Sequence, residues 1–216
     1  MPPVIKQFEI GPMQNFCYLI GDEKTKKAAI VDPAWAPEKL LSIVEEEGFK
    51  LAAFLVSHAH YDHTNAIEAL LERVDVPVYA HKEEIEYAHE GNAIVGDLGR
   101  TAQGTSDGQT LELGDTVIRF IHTPGHTPGS QCFSIGNHLI TGDTLFIGGC
   151  GRSDLPGGDP VKLFESLQKL GRLPAETEIC PGHDYGAVRK RSLAEERAGN
   201  PYLQMKNVQL FLKAVG

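Results

Sequence analysis

The segment Ser57-His58-Ala59-His60-Tyr61-Asp62-His63 decides how this sequence is interpreted. It comes at the end of LAAFLVS, a continuous apolar run typical of a strand that is buried on both faces. In extended backbone His58 and His60 point to the same side, so both imidazoles can reach one ion. Asp62 and His63 follow where the chain turns into a predicted helix, and we expect them to reach a second ion nearby. Because zinc, iron and manganese accept imidazole and carboxylate ligands, the segment predicts a metal site.

Three more potential ligands occur in similar settings farther along the chain. His126 lies in a turn-rich TPGHTPG segment, Asp143 follows Leu139 and Ile140 in LITGD, and His183 follows a short apolar run in ICPGH. Each has a glycine beside it, which allows close approach of the backbone, although each taken alone would be an ordinary turn residue. Loops at strand ends on a rigid scaffold commonly carry chemistry, so we expect these three side chains to join the first segment.

The rest of the chain predicts strands and helices in two successive sets, each beginning with strands. A helix is predicted from Pro37 to its stop at Gly48, and a second where Asp159 caps a segment that begins with Pro160. TNAIEALLERV predicts a helix after the histidine-rich segment, and residues 91–109 predict a loop. No repeat or long linker divides the sequence, and residues 1–216 are therefore predicted to form a single domain.

Composition limits the classes of function. Hydrophobic residues make up 41% of the chain, enough for a sizeable core, and the net charge of −9 argues against a nucleic-acid partner. No apolar run approaches the roughly 18 residues of a membrane span, and the N-terminal stretch lacks the pattern of a secretory signal, so a cytoplasmic location without membrane partners is expected. Four widely spaced cysteines predict buried free thiols, with Cys150 as the least certain of them.

The order H-x-H-x-D-H, TPGHT, TGD and PGH resembles the metallo-β-lactamase superfamily from about Asn15 to His183. The resemblance implies an α/β fold, a four-layer αββα sandwich of two mixed sheets with helices on both outer faces and metals at one edge. It also implies two divalent ions that ready a water for attack on a carbonyl. The ligands would be His58, His60 and His126 for the first ion and Asp62, His63 and His183 for the second, with Asp143 bridging both and with Asp62 and Asp143 as the catalytic carboxylates.

Residues 142–152, GDTLFIGGCGR, resemble the branch that contains glyoxalase II and the persulfide dioxygenases. The first implies a hydrolase for a small thioester such as hydroxyacyl-glutathione, with two Zn, Fe or Mn ions. The second implies a dioxygenase that converts glutathione persulfide to sulfite, with one Fe(II) on His58, His126 and Asp143. Glyoxalase II typically has Gly-Lys in place of Gly151-Arg152 and a helical C-terminal extension, most of which this chain lacks. The sequence favours the hydrolase and leaves the dioxygenase open; homodimers are common in the family.

Several further side chains receive specific predictions. Arg152 and Tyr185 are expected to contact substrate, although an ion pair of Arg152 with Asp154 and simple packing of Tyr185 are equal alternatives. Asp184 is a candidate to support a metal-bound histidine. The remaining predictions are solvation for His81 and His89, and packing for Trp35 and His122.

Overall fold

Strand β2 (Asn15–Asp22) shows why this chain folds in layers. Successive side chains of a strand point to opposite faces, and every residue of β2 is buried. Phe16, Tyr18 and Ile20 pack in one apolar cluster, while Cys17 and Leu19 pack in another. A strand with two apolar faces must lie between two layers, so the sheet that contains it has to be covered on both sides. The computed structural model describes residues 2–91 and 93–215.

Two six-stranded sheets and a small hairpin form the framework. The strands are β1 (Val4–Ile10), β2, β3 (Lys27–Val31), β4 (Lys50–Leu55), β5 (Val78–His81), β6 (Gln103–Thr105), β7 (Thr110–Leu113), β8 (Thr116–His122), β9 (Gln131–Ile135), β10 (His138–Gly142), β11 (Leu145–Phe146), β12 (Gly149–Cys150), β13 (Glu178–Pro181) and β14 (Arg191–Ser192). The first sheet has the order β1-β2-β3-β4-β5-β6, the second has the order β14-β13-β10-β9-β8-β7, and β11 pairs with β12. Both sheets are mixed, because β3 to β6 are mutually parallel and β10 is parallel to β13.

The helices lie between and after the strands. They are α1 (Pro37–Glu46), α2 (Tyr61–Thr64), α3 (Ile67–Leu71), α4 (Lys82–Glu90), α5 (Pro160–Leu170), α6 (Leu193–Gly199), α7 (Pro201–Gln204) and α8 (Val208–Val215). Helix α5 begins as the sequence predicts, since the Asp159 carboxylate accepts hydrogen bonds from the backbone N–H groups of Val161 and Lys162. None of the helices in the described ranges is long and apolar enough to cross a membrane.

Three apolar clusters account for the four layers. The central cluster joins the two sheets, with Phe16 and Tyr18 in the same cluster as Phe120 and Phe133. A second cluster joins the outer face of the first sheet to α1 and α3, and a third joins the outer face of the second sheet to α5 and α8. This is the αββα sandwich with two mixed sheets, which confirms the predicted fold.

Two local predictions are wrong. Residues 91–109 are not a continuous loop, because Gln103–Thr105 adds a parallel edge strand to β5. The predicted helix TNAIEALLERV is divided at Asn65 and Ala66 into α2 and the short α3. Asn65 is fixed at this break because its side-chain oxygen accepts a hydrogen bond from the Trp35 backbone N–H at 2.5 Å. In both places tertiary contacts override the local sequence pattern.

Candidate metal centre

The seven potential ligands converge at one edge of the sandwich, where β4, β8, β10 and β13 end. The five histidines are almost completely buried, and the side chains of Asp62 and Asp143 are 14% and 11% exposed. They come from four separate loops, which explains why residues so far apart in the chain meet. The convergent residues are His58, His60, Asp62, His63, His126, Asp143 and His183.

The first group of three, called the first trio here, consists of His58, His60 and His126. Their candidate ligand atoms lie within 4.8 Å of one another, and His126 Nε2 lies 2.9 Å from His60 Nδ1. Two nitrogens on one tetrahedral ion lie roughly 3.3 Å apart, given Zn–N distances of about 2.0–2.1 Å. The buried Nε2 atom of His58 has no hydrogen-bond partner in the described structure. A cation among these atoms would use that lone pair.

The second trio consists of Asp62, His63 and His183. His63 Nε2 lies 3.1 Å from His183 Nε2, and the Asp62 carboxylate lies 3.5 and 3.4 Å from the same two atoms. Two imidazoles and one carboxylate around a common point form a second donor set suited to a divalent cation.

Asp143 lies between the two trios. Its carboxylate approaches His126 Nε2 at 3.7 Å on one side, and His63 and His183 at 3.5 and 3.3 Å on the other. Its buried Oδ1 atom has no hydrogen-bond partner in the described structure. A Cβ atom at Gly182 would lie 2.3 Å from that oxygen, so glycine is needed beside it. One carboxylate can thus reach both sets of donors.

Protein groups hold the outward-facing nitrogen of four of these histidines. The contacts are His58 Nδ1 to Ser57 Oγ at 3.0 Å, His63 Nδ1 to Asp32 Oδ2 at 3.0 Å, His126 Nδ1 to the Arg152 carbonyl at 2.7 Å, and His183 Nδ1 to the Met13 carbonyl at 2.9 Å. An acceptor on one ring nitrogen leaves the lone pair of the other free to face inward, as metal sites require. The prediction for Asp184 is wrong: His183 uses the Met13 carbonyl, and Asp184 pairs with Arg189 instead.

Asp32 supports the site, and the sequence analysis missed it. Its buried carboxylate accepts hydrogen bonds from His63, from the Ser57 backbone N–H at 2.7 Å and from the Ser57 hydroxyl at 2.6 Å. Its φ of 51° lies in the left-handed region, which non-glycine residues adopt at some cost in energy. The available signal was the position of this aspartate directly after β3, just as Asp143 follows β10.

A second missed contact runs from Trp35 to Asp62. Trp35 Nε1 donates to Asn15 Oδ1 at 2.9 Å, and Asn15 Nδ2 donates to the Asp62 carboxylate at 2.9 Å. Trp35 also packs edge-on against Tyr61, with ring centroids 6.0 Å apart. Packing was predicted for Trp35, but its ring also fixes the amide that positions Asp62.

Glu84 is the third missed residue. It is completely buried and joins two ligand-bearing loops. Its carboxylate accepts hydrogen bonds from the Ala59 backbone N–H at 2.5 Å, and from the Thr127 hydroxyl and the Gly129 backbone N–H at 2.8 Å each. Ala59 lies between two histidines of the first trio, and Thr127 follows the third. Burial raises the pKa of Glu84 to about 7. Nothing in the sequence distinguished it from its neighbours on a charged helix.

The pKa values of the two trios shift in opposite directions. Burial lowers the pKa of His58 well below its usual value, and burial with the nearby His126 lowers that of His60 to about 4. Burial also opposes a charge on His63, but Asp143, Asp32 and Asp62 outweigh it and raise the pKa of His63 to about 10.

Burial likewise lowers the pKa of His126, whereas Asp143 outweighs burial at His183 and raises its pKa. The charges on His183 and His63 in turn outweigh burial at Asp143 and hold its pKa well below its usual range.

The two predicted substrate contacts lie beside the site but use other partners. The exposed Arg152 guanidinium donates two hydrogen bonds to the Asp154 carboxylate, at 2.9 and 2.8 Å. The Tyr185 ring stacks on His183 with centroids 4.5 Å apart, and its hydroxyl lies 3.4 Å from the Met13 carbonyl.

The histidines and cysteines outside the site give a mixed result. His89 is exposed as predicted, but the prediction of solvation is wrong for His81, which is buried and stacks on His122 at 3.8 Å between centroids. That stacking matches the packing predicted for His122. Cys17, Cys132 and Cys180 are buried free thiols as predicted, and burial raises the pKa of the half-buried Cys150 to about 12.

A family model described as the metallo-beta-lactamase superfamily matches residues 10–183. The chain belongs to the metallo-β-lactamase superfamily. Among curated members of the superfamily, the hydroxyacylglutathione hydrolase of Enterobacter sp. (strain 638) is 34% identical over 193 residues, which are 87% of this chain and 70% of that protein. This relative supports the branch of the superfamily that the sequence resembles.

Two solved structures of the superfamily are also close. ETHE1 from Myxococcus xanthus superposes with a TM-score of 0.85 and 31% identity, over 98% of this chain and 89% of that one. TTHA1623 in a di-iron-bound form has a TM-score of 0.80 and 32% identity, over 91% of this chain and 99% of that one. Together with the curated relative, these structures confirm the resemblance inferred from the metallo-β-lactamase motifs.

Proposed function

We propose that this protein is a metal-dependent hydrolase that cleaves a small thioester, such as hydroxyacyl-glutathione. The observation that carries the proposal is the pair of trios with Asp143 between them. Two sets of three donors and one shared carboxylate form the ligand set of a two-metal hydrolytic site. The hydroxyacylglutathione hydrolase among the relatives supports the thioester, and the di-iron form of TTHA1623 supports two ions.

The residues fit such a group on structural grounds. The buried and unpartnered His58 Nε2 and Asp143 Oδ1 would be costly to leave without a partner, and a cation satisfies both. His58, His60 and His126 would hold one ion, the second trio the other, and Asp143 would contact both. When bound, the ions supply Lewis acidity, which lowers the pKa of water toward about 7 and polarises a carbonyl.

The side chains around the proposed ions would orient the attacking water and accept its proton. Asp62 is partly exposed and is fixed by Asn15, so its carboxylate is placed to orient an attacking water and accept its proton. Asp32 and the carbonyls of Met13 and Arg152 keep three imidazoles aimed inward. These contacts exist before substrate arrives, so little reorganisation is needed during the reaction.

A second candidate, an iron-dependent persulfide dioxygenase, has a specific observation in its favour. The trio expected for a single Fe(II) is His58, His126 and Asp143, and two of its atoms are the unpartnered His58 Nε2 and Asp143 Oδ1. Two histidines and one carboxylate on one face leave positions open for oxygen. The second trio has no role in that reaction, and we therefore rank the dioxygenase below the hydrolase.

Metal analysis of protein purified without added metal, together with two assays, tests the choice. The hydrolase should contain two ions per chain and release thiol from lactoylglutathione without oxygen. One iron per chain with oxygen uptake on glutathione persulfide would select the dioxygenase. Asp143→Ala should abolish whichever activity is present, whereas the exposed Asp115→Ala, which alters an ion pair with Lys24, should leave it unchanged.

A further inference from the structure

A cavity of about 300 Å³ opens directly beside the proposed metal ligands His60 and Asp62, both of which contribute to its wall. Its volume is at the small end of the range for ligand pockets. The other described residues that line it are Met13, Tyr61, Ala93, Ile94 and Leu155. A molecule bound at the metals therefore meets an apolar surface on this side.

Large apolar side chains in this wall are exposed to solvent. Met13 is 46% exposed and Tyr61 is 54% exposed, although both lie next to a polar centre. Adjacent exposed apolar side chains commonly mark a binding surface. The Tyr61 ring is held in place, because it packs edge-on against Trp35. At Met13 the backbone is fixed, since its carbonyl accepts a hydrogen bond from His183.

The described wall of the cavity offers no basic side chain to pair with an anionic group. Among the described residues that line the cavity, Asp62 is the only acidic residue, and none is lysine or arginine. The nearby Arg152 already pairs with Asp154. Glutathione carries two carboxylates, which would lose hydration here without gaining a lysine or arginine partner in this wall. A hydrocarbon chain loses no such hydration and gains from burial.

We propose that this cavity binds the acyl half of the thioester and that, among acyl groups, it favours an apolar hydrocarbon chain over a hydroxylated or anionic one. This inference rests on the proposed thioester hydrolysis and narrows its substrate. With the scissile carbonyl at the metals, an acyl chain that extends past Asp62 contacts Met13, Tyr61 and Leu155. The polar thiol half then points to the opposite, open side.

Hydrolysis of a homologous series tests the proposal. Acetyl, butanoyl and hexanoyl thioesters of N-acetylcysteamine share one leaving thiol, and lactoyl and succinyl thioesters supply the polar and anionic comparisons. We expect kcat/KM to rise about fourfold per added methylene, mainly through KM, and the lactoyl and succinyl thioesters to react more slowly than the butanoyl one. Hydrolysis that does not depend on chain length would overturn the acyl pocket and leave the hydrolase intact.

A binding measurement tests the cavity independently of thioester hydrolysis. S-alkyl thioethers of N-acetylcysteamine have no thioester carbonyl to hydrolyse, so they report on binding even if no thioester is cleaved, an outcome that would reject the proposed function alone. Calorimetry should show an affinity that increases from ethyl to hexyl by a similar factor per methylene. Equal affinity for all chain lengths would reject the pocket whatever the protein hydrolyses.

Substitutions of residues in the cavity wall test whether these residues contact the acyl chain. Leu155→Trp fills the cavity and should lower the hexanoyl-to-acetyl ratio of kcat/KM by more than about tenfold. Leu210→Trp, on the exposed face of α8, is the matched control and should leave the ratio unchanged. Met13→Lys is safer for folding, because its side chain is 46% exposed. It should remove the chain-length dependence and favour the succinyl thioester; an unchanged preference in both variants would contradict the proposal.

Discussion

The two trios, each of which would hold one divalent cation, rest on different supports. The first consists of histidines alone, and its loops are joined by the buried carboxylate of Glu84. The second combines two imidazoles with one carboxylate. Asp32 contacts its His63, and Asn15 donates a hydrogen bond to its Asp62. Burial and neighbouring histidines lower the pKa values of the first trio, whereas carboxylates raise those of the two histidines in the second. Two halves of one site can therefore be prepared for metal in opposite ways.

Asp143→Ala should have the largest effect, because it removes the group shared by both trios. Substituting a group that hydrogen-bonds to a metal ligand typically lowers metal affinity or activity by about 10–100-fold. Loss of a ligand shared by both ions should therefore lower kcat/KM by more than about 1000-fold. Metal analysis should show that both ions are lost. Retention of one ion per chain with substantial activity would show that the trios do not depend on each other through this carboxylate.

Asp32→Asn should weaken the second trio more than the first, because His63 contacts Asp32 directly, whereas His58 reaches it only through the Ser57 hydroxyl. The amide cannot accept hydrogen bonds from His63 and Ser57 through both atoms as the carboxylate does, so the inward lone pair of His63 loses its orientation. We expect the affinity for the second ion to fall by about 10–100-fold, with a smaller loss for the first ion. Stepwise metal titration measures this. Equal losses at both sites would contradict the separation of supports.

Glu84→Gln should weaken the first trio instead. An amide NH₂ group would face one of the three donors that now meet the carboxylate, leaving that donor unpaired at a cost of about 1–3 kcal/mol. The affinity for the first ion should fall, with a lower midpoint of thermal unfolding. Glu86→Gln, on the exposed face of the same helix, is the control and should change neither. A loss confined to the second ion would refute this role.

The pH dependence of metal affinity should distinguish the two trios in the unsubstituted protein. Since the pKa of His63 is raised to about 10, an ion at the second trio must displace a proton at neutral pH. Its affinity should rise by about tenfold per pH unit for each proton released between about pH 6.5 and 8.5. His60, with its pKa lowered to about 4, is already neutral there, so affinity at the first trio should stay nearly constant. Competition with a chromophoric chelator measures both slopes.

The same shift affects the metal-free fold in the opposite sense. A raised pKa means that the folded state binds the proton more tightly than the unfolded chain does. The stabilisation by protonated His63 is therefore complete below about pH 6.5 and is lost as the pH rises through about 10. Chemical denaturation of the metal-free protein should show this decline, and Asp32→Asn should reduce it.

The sequence predicted the fold and the convergence of the seven candidate ligands, because order and spacing of their motifs are visible in one dimension. It could not reveal Glu84, whose role depends on three donors brought by other loops. Asp32 was missed for the same reason, since an aspartate after a strand usually forms a turn. His81 was mispredicted because its stacking on His122 requires two strands to meet. Side chains that hold a metal ligand in place without binding the metal can be identified only from the three-dimensional structure.

Arg152 should give the smallest effect and the sharpest test of that distinction. The sequence drew attention to its side chain, but it is the Arg152 backbone carbonyl that contacts His126, at 2.7 Å, while the exposed guanidinium pairs with Asp154. Exposed ion pairs contribute little because water and salt screen them, and Arg152→Ala keeps the carbonyl. Metal content should stay at the wild-type level, and kcat/KM for an uncharged thioester should change by no more than about threefold. A much larger loss that is confined to thioesters of an anionic thiol would show that the guanidinium leaves Asp154 to bind the thiol half, opposite the apolar cavity.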